Sequence, residues 1–445
     1  MSSERDATTG AAGDVSRRRA LATVLGIVFI DLLGFGVIIP VLPFYVRSFG
    51  VSDVFIGLLA ASYSLTQFVF APLLGRLSDE RGRRPVLMLS VFGSAVAWTL
   101  FGLGEEFQVL FGTVGGLGVL FAARMLAGAM GGNIATAQAY ITDVTPKEDR
   151  AAALGLIGAT FGLGFVFGPA LGSVVASDSV VTAARNILPS FVPATTFSLP
   201  SFLAAGLSLL AFVAAALFLP EPNRTRTTRA ESGLVSQFRT ALADADLRPL
   251  VLVFLVVSLA FSGVQVAFIP FVADIYGYQE AQAGLLLTYI GVLGVLNQGV
   301  VVRALSRRFA DERLAVGGAS LLLVSLVLLP FAPILGRALF PAVLGASPEL
   351  VALLVVLAIL SSGNGLLNVG TASMVSAAAD EDSQGSAFGV TQGAGSLGRT
   401  IGPPVMTAIY VLVYWAPFLL GATLTAFVVA ALVVLVRRSE VFTDV

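Results

Sequence analysis

The stretch LATVLGIVFIDLLGFGVIIPVLPFYV, from Leu21 to Val46, holds a single ionisable acid, Asp31. It exceeds the roughly 20 apolar residues with which an α-helix crosses about 30 Å of hydrocarbon. Runs of this kind recur along the whole chain and are continuous, not arranged in the stripes of a water-facing helix. With 56% of residues hydrophobic and 12% charged, a bilayer is the solvent that accommodates them. Lipid leaves the backbone no partner but itself, which restricts the choice to helices or closed barrels, and runs this long are helical. The expected fold is an all-α polytopic membrane protein.

Apolar runs bounded by charges predict twelve spans. Six lie near residues 21–46, 54–77, 85–104, 112–142, 152–176 and 198–220. Six more lie near 249–272, 281–303, 313–335, 349–376, 384–409 and 412–436. The chain thus divides into an N-terminal arm (1–20), a six-helix bundle (21–220), a polar linker (221–248), a second six-helix bundle (249–437) and a tail (438–445). An even number of spans leaves both termini on one side. That side carries Arg17, Arg18, Arg19, Arg76, Arg81, Arg83, Arg84, Arg303, Arg307, Arg308, Arg437 and Arg438, whereas Arg47, Arg185 and Arg337 fall opposite. Basic loops stay in the cytoplasm, so a multi-pass protein of the cell membrane with both termini cytoplasmic is expected.

What is missing narrows the function. There is no Cys and no His, which removes thiolate chemistry, the commonest general base and most metal sites. The single Lys, Lys147, follows Pro146, so no phosphate-binding P-loop exists. An enzyme is not expected, nor a cofactor, a metal or a nucleic-acid partner.

The two halves echo each other. GRLSDERGRR after the second span aligns with RALSRRFADE after the eighth, Leu77 over Leu305. VLPFYV aligns with FIPFVA, Pro43 over Pro270, and FGPALG with IGPPVM, Gly168 over Gly402. Three echoes in order, at separations of 228, 227 and 234 residues, indicate a duplicated six-helix unit. Paired bundles with a site at mid-membrane are a recurrent transporter plan.

These residues resemble the major facilitator superfamily and, within it, the twelve-span drug:proton antiporters that include tetracycline efflux proteins. Gly75, Leu77, Asp79, Arg81, Gly82, Arg83 and Arg84 are similar to the loop signature G-x-L-x-D-R-x-G-R-R/K, with Glu80 standing where the pattern has Arg. DLLGFGVIIPVLPFY, from Asp31 to Tyr45, resembles the antiporters' D-x-x-G-x-G-x-x-x-P-x-x-P. RMLAGAMGGNIATAQAYITDVTPKEDR, from Arg124 to Arg150, is similar to the segment carrying the family's intramembrane Arg. GATFGLGFVFGPALG, holding Gly158, Gly162, Gly164, Gly168, Pro169 and Gly172, resembles the antiporter signature ending in Gly-Pro-x-x-Gly. The resemblance implies two bundles working by alternating access, driven by protons.

Physical chemistry assigns parts to these residues. A bare carboxylate at mid-span costs roughly 2.5–3.5 kcal/mol, so Asp31 is either paired or protonated, and Arg124 is its candidate partner in proton coupling; the alternatives are a pair that only fixes the first helix and, for Arg124, an anchor for a substrate anion. The resemblance implies that Asp79 and the arginines of the loop form a latch, reaching carboxylates such as Asp143; the alternative is a solvated turn that only orients the chain. The glycines of the fifth and eleventh spans permit close helix approach, and a pivot between the bundles is proposed there. Candidate substrate contacts are Gln67, Asn133, Gln138, Gln265, Tyr289, Asn297, Asn364, Asn368, Gln392 and Arg399, set among apolar walls. Each of the amides serves equally well as an interhelical hydrogen bond. The expected protein is a monomer that exchanges protons for amphipathic or lipophilic small molecules and exports them across the lipid bilayer. The alternatives are a metabolite or sugar carrier of the same superfamily, or a non-transporting membrane receptor or scaffold.

Overall fold

The computed structural model describes residues 2–146, 149–222, 239, 242–244, 247–342, 345–379 and 384–443. Lys147 and most of the expected linker, 221–248, lie outside the described residues.

The described chain is helical. Its first half forms α1 (Ser2–Ile38), α2 (Leu42–Ser48), α3 (Val54–Arg81), α4 (Arg83–Gly102), α5 (Gly104–Met130), α6 (Asn133–Val144), α7 (Arg150–Val175), α8 (Asp178–Ile187) and α9 (Ser198–Phe218). The second half forms α10 (Leu247–Tyr276), α11 (Glu280–Leu296), α12 (Asp311–Leu328), α13 (Ala332–Leu339), α14 (Pro348–Ala378), α15 (Gln384–Leu412) and α16 (Ala416–Thr443). Among the described residues eleven helices are long and apolar enough to cross a membrane. The expected eleventh span, 384–409, folds as α15, a helix of 29 residues. Its Ser, Thr, Gln, Gly and Arg content keeps it out of that apolar set.

Local chemistry explains where the long runs break. Pro40 and Pro43 end the first run as a straight rod, so α1 stops at Ile38 and the short α2 resumes with Pro at its start. The fourth run divides at Gly131 and Gly132 into α5 and α6, and inside α5 the backbone swings to φ 70° at Gly112, a conformation only glycine adopts without strain. In the eighth span, α11 passes into a π-helical segment over Asn297–Val302.

The chain sorts into two units. Unit 1 holds residues 1–49, 65–228 and 279–288; unit 2 holds 50–64, 229–278 and 289–445. In unit 1, α7 lies against α1 through glycines. A side chain at Gly168 would meet the Cα of Gly36 at 2.6 Å, and one at Gly164 would meet the Cβ of Leu32 at 2.9 Å. Gly172 is crowded by the backbone of Val37. Space around Gly158 is open. Unit 2 repeats this device: Gly395, Gly398 and Gly402 of α15 lie against Ser258, Leu259 and Ser262 of α10. The close approach expected of the two glycine-rich spans is therefore made to the first long helix of the same unit.

A second contact also occurs twice. In unit 2 a side chain at Gly57 would collide with Pro403 and Thr407; in unit 1 one at Gly284 would collide with Ser173 and Pro169. The glycines are 227 positions apart and the prolines 234, the same separations that relate the repeats.

Candidate functional site

Inside unit 1, α6 packs against both α1 and α4 and brings three polar side chains to one place. Asn133 Nδ2 donates to Asp31 Oδ2 at 2.8 Å, and Ser94 is a second side chain hydrogen-bonded to this carboxylate. Arg124, only 6% exposed, lies with its guanidinium carbon 5.8 Å from the centre of the Phe35 ring. A guanidinium over an aromatic face is attracted by the ring's quadrupole. Phe35 in turn meets Phe165 of α7 edge to face at 6.4 Å. Asp31 and Phe35 are four residues apart on α1 and share a face, so the acid and the cation lie along one side of that helix.

The turn between α3 and α4 is the second constellation. Gly82 joins the two helices by itself at φ 113°, and a Cβ there would stand 2.8 Å from Glu221 Oε1, so glycine is required twice over. Arg83 is 8% exposed and fully engaged. Its Nη1 contacts Asp79 Oδ1 at 2.6 Å and donates to Ser78 Oγ at 2.6 Å, and its Nε donates to Asp143 Oδ2 at 2.9 Å. The backbone N–H groups of Arg83 and Arg84 donate to the two oxygens of Glu221, at 2.7 and 2.9 Å. A carboxylate set on the exposed donors of a helix N-terminus is stabilised by both the bonds and the helix dipole. Arg84 Nη2 reaches the carbonyl of Ala216, and Tyr140 donates to the carbonyl of Pro220 at 2.8 Å. The loop signature thus ties α3, α4, α6 and α9 together. Arg81 points into the open, and the space beside Gly75 is empty.

The polar residues suggested by sequence divide between structural and open positions. Gln67 donates to the carbonyl of Gly131 at 3.2 Å, capping the break between α5 and α6. Asn297 is 7% exposed; its amide donates to Ser361 and its carbonyl accepts from Ser362, each at 3.3 Å. Tyr289 donates to the carbonyl of Leu354 at 3.2 Å. Asn368 bonds back to Asn364. Gln138, Gln265 and Gln392 are exposed, and Arg399 is half-buried. Tyr289 and Ser362 also border a cavity of about 680 Å³ in unit 2, walled by Leu321, Val351, Leu354 and Ile359.

Sequence reasoning missed Ser94 and Glu221. Glu221 stands between prolines just beyond the sixth run, a visible charge at a span end, but its partners lie 138 and 137 residues away. Among the described residues no cluster of His, Cys, Asp and Glu could hold a metal ion.

Residues 24–346 match the family model described as Major Facilitator Superfamily. The chain belongs to that superfamily. Among its relatives, the class C tetracycline resistance protein of Escherichia coli is 31% identical over 398 residues, spanning 88% of this chain and 89% of that protein. Multidrug resistance protein 1 of Bacillus subtilis (strain 168) is 27% identical over 295 residues, 66% of this chain and 69% of the relative. In fold, the chain matches a bacterial homologue of the human lysosomal transporter Spinster, in its inward-facing, unoccupied conformation. The TM-score is 0.69 at 15% identity, with 94% of this chain and 96% of the other covered. As a major facilitator protein the chain is a membrane transporter of small molecules and not an enzyme.

Proposed function

We propose that this major facilitator protein is a proton-coupled antiporter that exports amphipathic or lipophilic small molecules by alternating access. The observation that carries the reading is Asp31 in the middle of a membrane-spanning helix, held by Asn133 and Ser94, with Arg124 along the same face of α1. A carboxylate so placed is neutral when protonated and strongly favours polar partners when charged. Its proton is the species exchanged against substrate. The names of the tetracycline and multidrug resistance relatives support drugs as the class of cargo.

In this reading two six-helix bundles, 21–220 and 249–437, are joined by the linker 221–248, and both termini are cytoplasmic. The Arg83 cluster then lies on the cytoplasmic side. It acts as a latch whose bonds to Asp79 and Asp143 bias the equilibrium between the two access states. The protein works as a monomer.

The test is substrate-evoked proton flux in proteoliposomes under an imposed pH gradient, with wild type and Asp31→Asn compared across a panel of lipophilic compounds. The reading requires a compound whose movement drives proton flux in wild type and not in the variant. Compound movement without protons, or wild-type coupling in Asp31→Asn, overturns it.

A further inference from the structure

Arg399 stands in the middle of α15, 15 residues after Gln384 and 13 before Leu412. At about 1.5 Å per residue it is some 20 Å from either end of its helix. An arginine at such depth keeps its charge and requires polar company. Among the described residues no carboxylate pairs with it, and its one hydrogen bond runs from Nη2 to Ser396 Oγ at 2.9 Å. A guanidinium carries five N–H donors, so most of its capacity is open. Arg399 is half-buried, in contrast to Arg124, which is packed into unit 1.

The surroundings are polar. On α15, Gly395 lies one turn before Arg399. A Cβ placed on it would stand 3.1 Å from Ser258 Oγ of α10 and 3.4 Å from Arg399 Nη1. The absent side chain therefore lets the Ser258 hydroxyl of α10 and the Arg399 guanidinium draw close to one point on α15, with no space left for a methyl. Tyr63 is near enough to interact electrostatically with the guanidinium. Exposed Gln392 shares the α15 face with Ser396 and Arg399, and exposed Gln265 shares the α10 face with Ser258, one and two helical turns along. Polar side chains do not face hydrocarbon at mid-span, so this side of unit 2 is open to water.

The internal repeat sharpens the point. Ser258 lies 227 positions after Asp31, and Arg399 lies 234 positions after Phe165. Where the repeat gives unit 1 a carboxylate and an aromatic side chain, it gives unit 2 a hydroxyl and a cation.

We propose that Arg399, Ser258 and Ser396 bind the anionic group of an amphipathic organic anion, whose oxyanion takes the part in unit 2 that the Asp31 carboxylate has in unit 1. This assignment deepens the export reading and rests on it for the statement that the bound anion is cargo. The guanidinium holds two oxygens side by side and Ser258 donates a third bond, Gly395 being the residue that lets hydroxyl and cation come near one another. Small anions lacking an apolar body bind weakly, because the remaining walls give them nothing to bury.

The experiment uses the full-length protein and three radiolabelled probes built on one naphthyl scaffold: the carboxylate, its methyl ester and the corresponding amine. Equilibrium binding to purified protein and flux into proteoliposomes are measured in parallel. Arg399→Gln is expected to weaken carboxylate binding roughly tenfold or more and to leave ester and amine within twofold. Arg399→Lys retains part of the affinity, since it keeps the charge and loses the planar fork. Gly395→Ala sets a methyl against Ser258 Oγ and Arg399 Nη1, moves the two apart and weakens the carboxylate alone, without removing any charged group. Carboxylate binding that is absent in wild type, or unchanged in both Arg399→Gln and Gly395→Ala, overturns the site. An equal loss for all three probes overturns it as well. Arg399-dependent binding without proton-linked flux of any probe upholds the anion site and counts against the export reading.

Discussion

Replacing Glu221 isolates what one carboxylate contributes to the loop that joins α3 and α4. Glu221→Ala removes two hydrogen bonds, from the N–H groups of Arg83 and Arg84, at the start of a helix whose N-cap residue, Gly82, has no side chain to replace them. Loss of an N-capping side chain costs about 0.5–2 kcal/mol. Two bonds argue for the upper part of that range, and the exposure of Glu221 argues for a discount through solvent screening. We expect about 1–2 kcal/mol for Glu221→Ala and roughly half as much for Glu221→Gln, which keeps one acceptor oxygen and loses the charge. Domains of 150–250 residues lose about 2–4 °C per kcal/mol, and the shift shrinks with size, so a fall of a few degrees in melting temperature is expected for this longer chain. The assay is thermal unfolding in detergent, followed by tryptophan fluorescence and repeated in 1 M salt, where the difference between wild type and Glu221→Gln narrows. Because the chain has no cysteine, single cysteines introduced at position 75 or 81 report the exposure of the turn directly. Unchanged melting in Glu221→Ala, together with unchanged labelling at both positions, would refute the capping argument.

Two other substitutions test the packing. Gly168→Leu places its Cβ 2.6 Å from the Cα of Gly36, which forces α7 away from α1; we expect a loss of folded yield with Gly168→Leu and a smaller one with Gly168→Ala, read by size-exclusion chromatography in detergent. Asn297→Ala leaves Ser361 and Ser362 without the amide that joins them to the π-helical segment. Interhelical hydrogen bonds in membrane proteins average about 0.6 kcal/mol, so a melting shift much smaller than that of Glu221→Ala is expected, and a shift larger than it would show that Asn297 has a role beyond this bond.

The parts of the fold that were legible in the sequence rest on local chemistry. A long apolar run is a helix wherever it stands, and Gly131–Gly132 or Pro40 interrupts one through its own backbone. The eleventh span, read like the others as a run bounded by charges, folds as the helix α15 although it falls outside the apolar set. The separations that revealed the duplication reappear in three dimensions as paired contacts, Gly57 on Pro403 and Gly284 on Pro169. What could not be read is which distant group completes a polar site. Arg83 advertises its charge, and Asp143 lies within reach of any pattern search. Nothing in the residues around Glu221 says that its oxygens turn toward two backbone amides far earlier in the chain. Gln67 illustrates the converse: a membrane amide that reads as a substrate contact caps a helix break, because an unsatisfied carbonyl in hydrocarbon is costlier than an uncommitted side chain.

The composition of the two units bears on how the chain is made. Unit 1 is closed by residues 279–288, which leave the ribosome after the whole first half and the first long helix of the second; unit 2 in turn incorporates residues 50–64, made near the beginning. The early segment must therefore wait, already synthesised, for Pro403 and Thr407 to appear, while Pro169 and Ser173 wait for Gly284. Neither unit reaches its final packing as an independent translation product, so a ribosome stalled after the first six spans would carry a bundle with one of its faces still vacant.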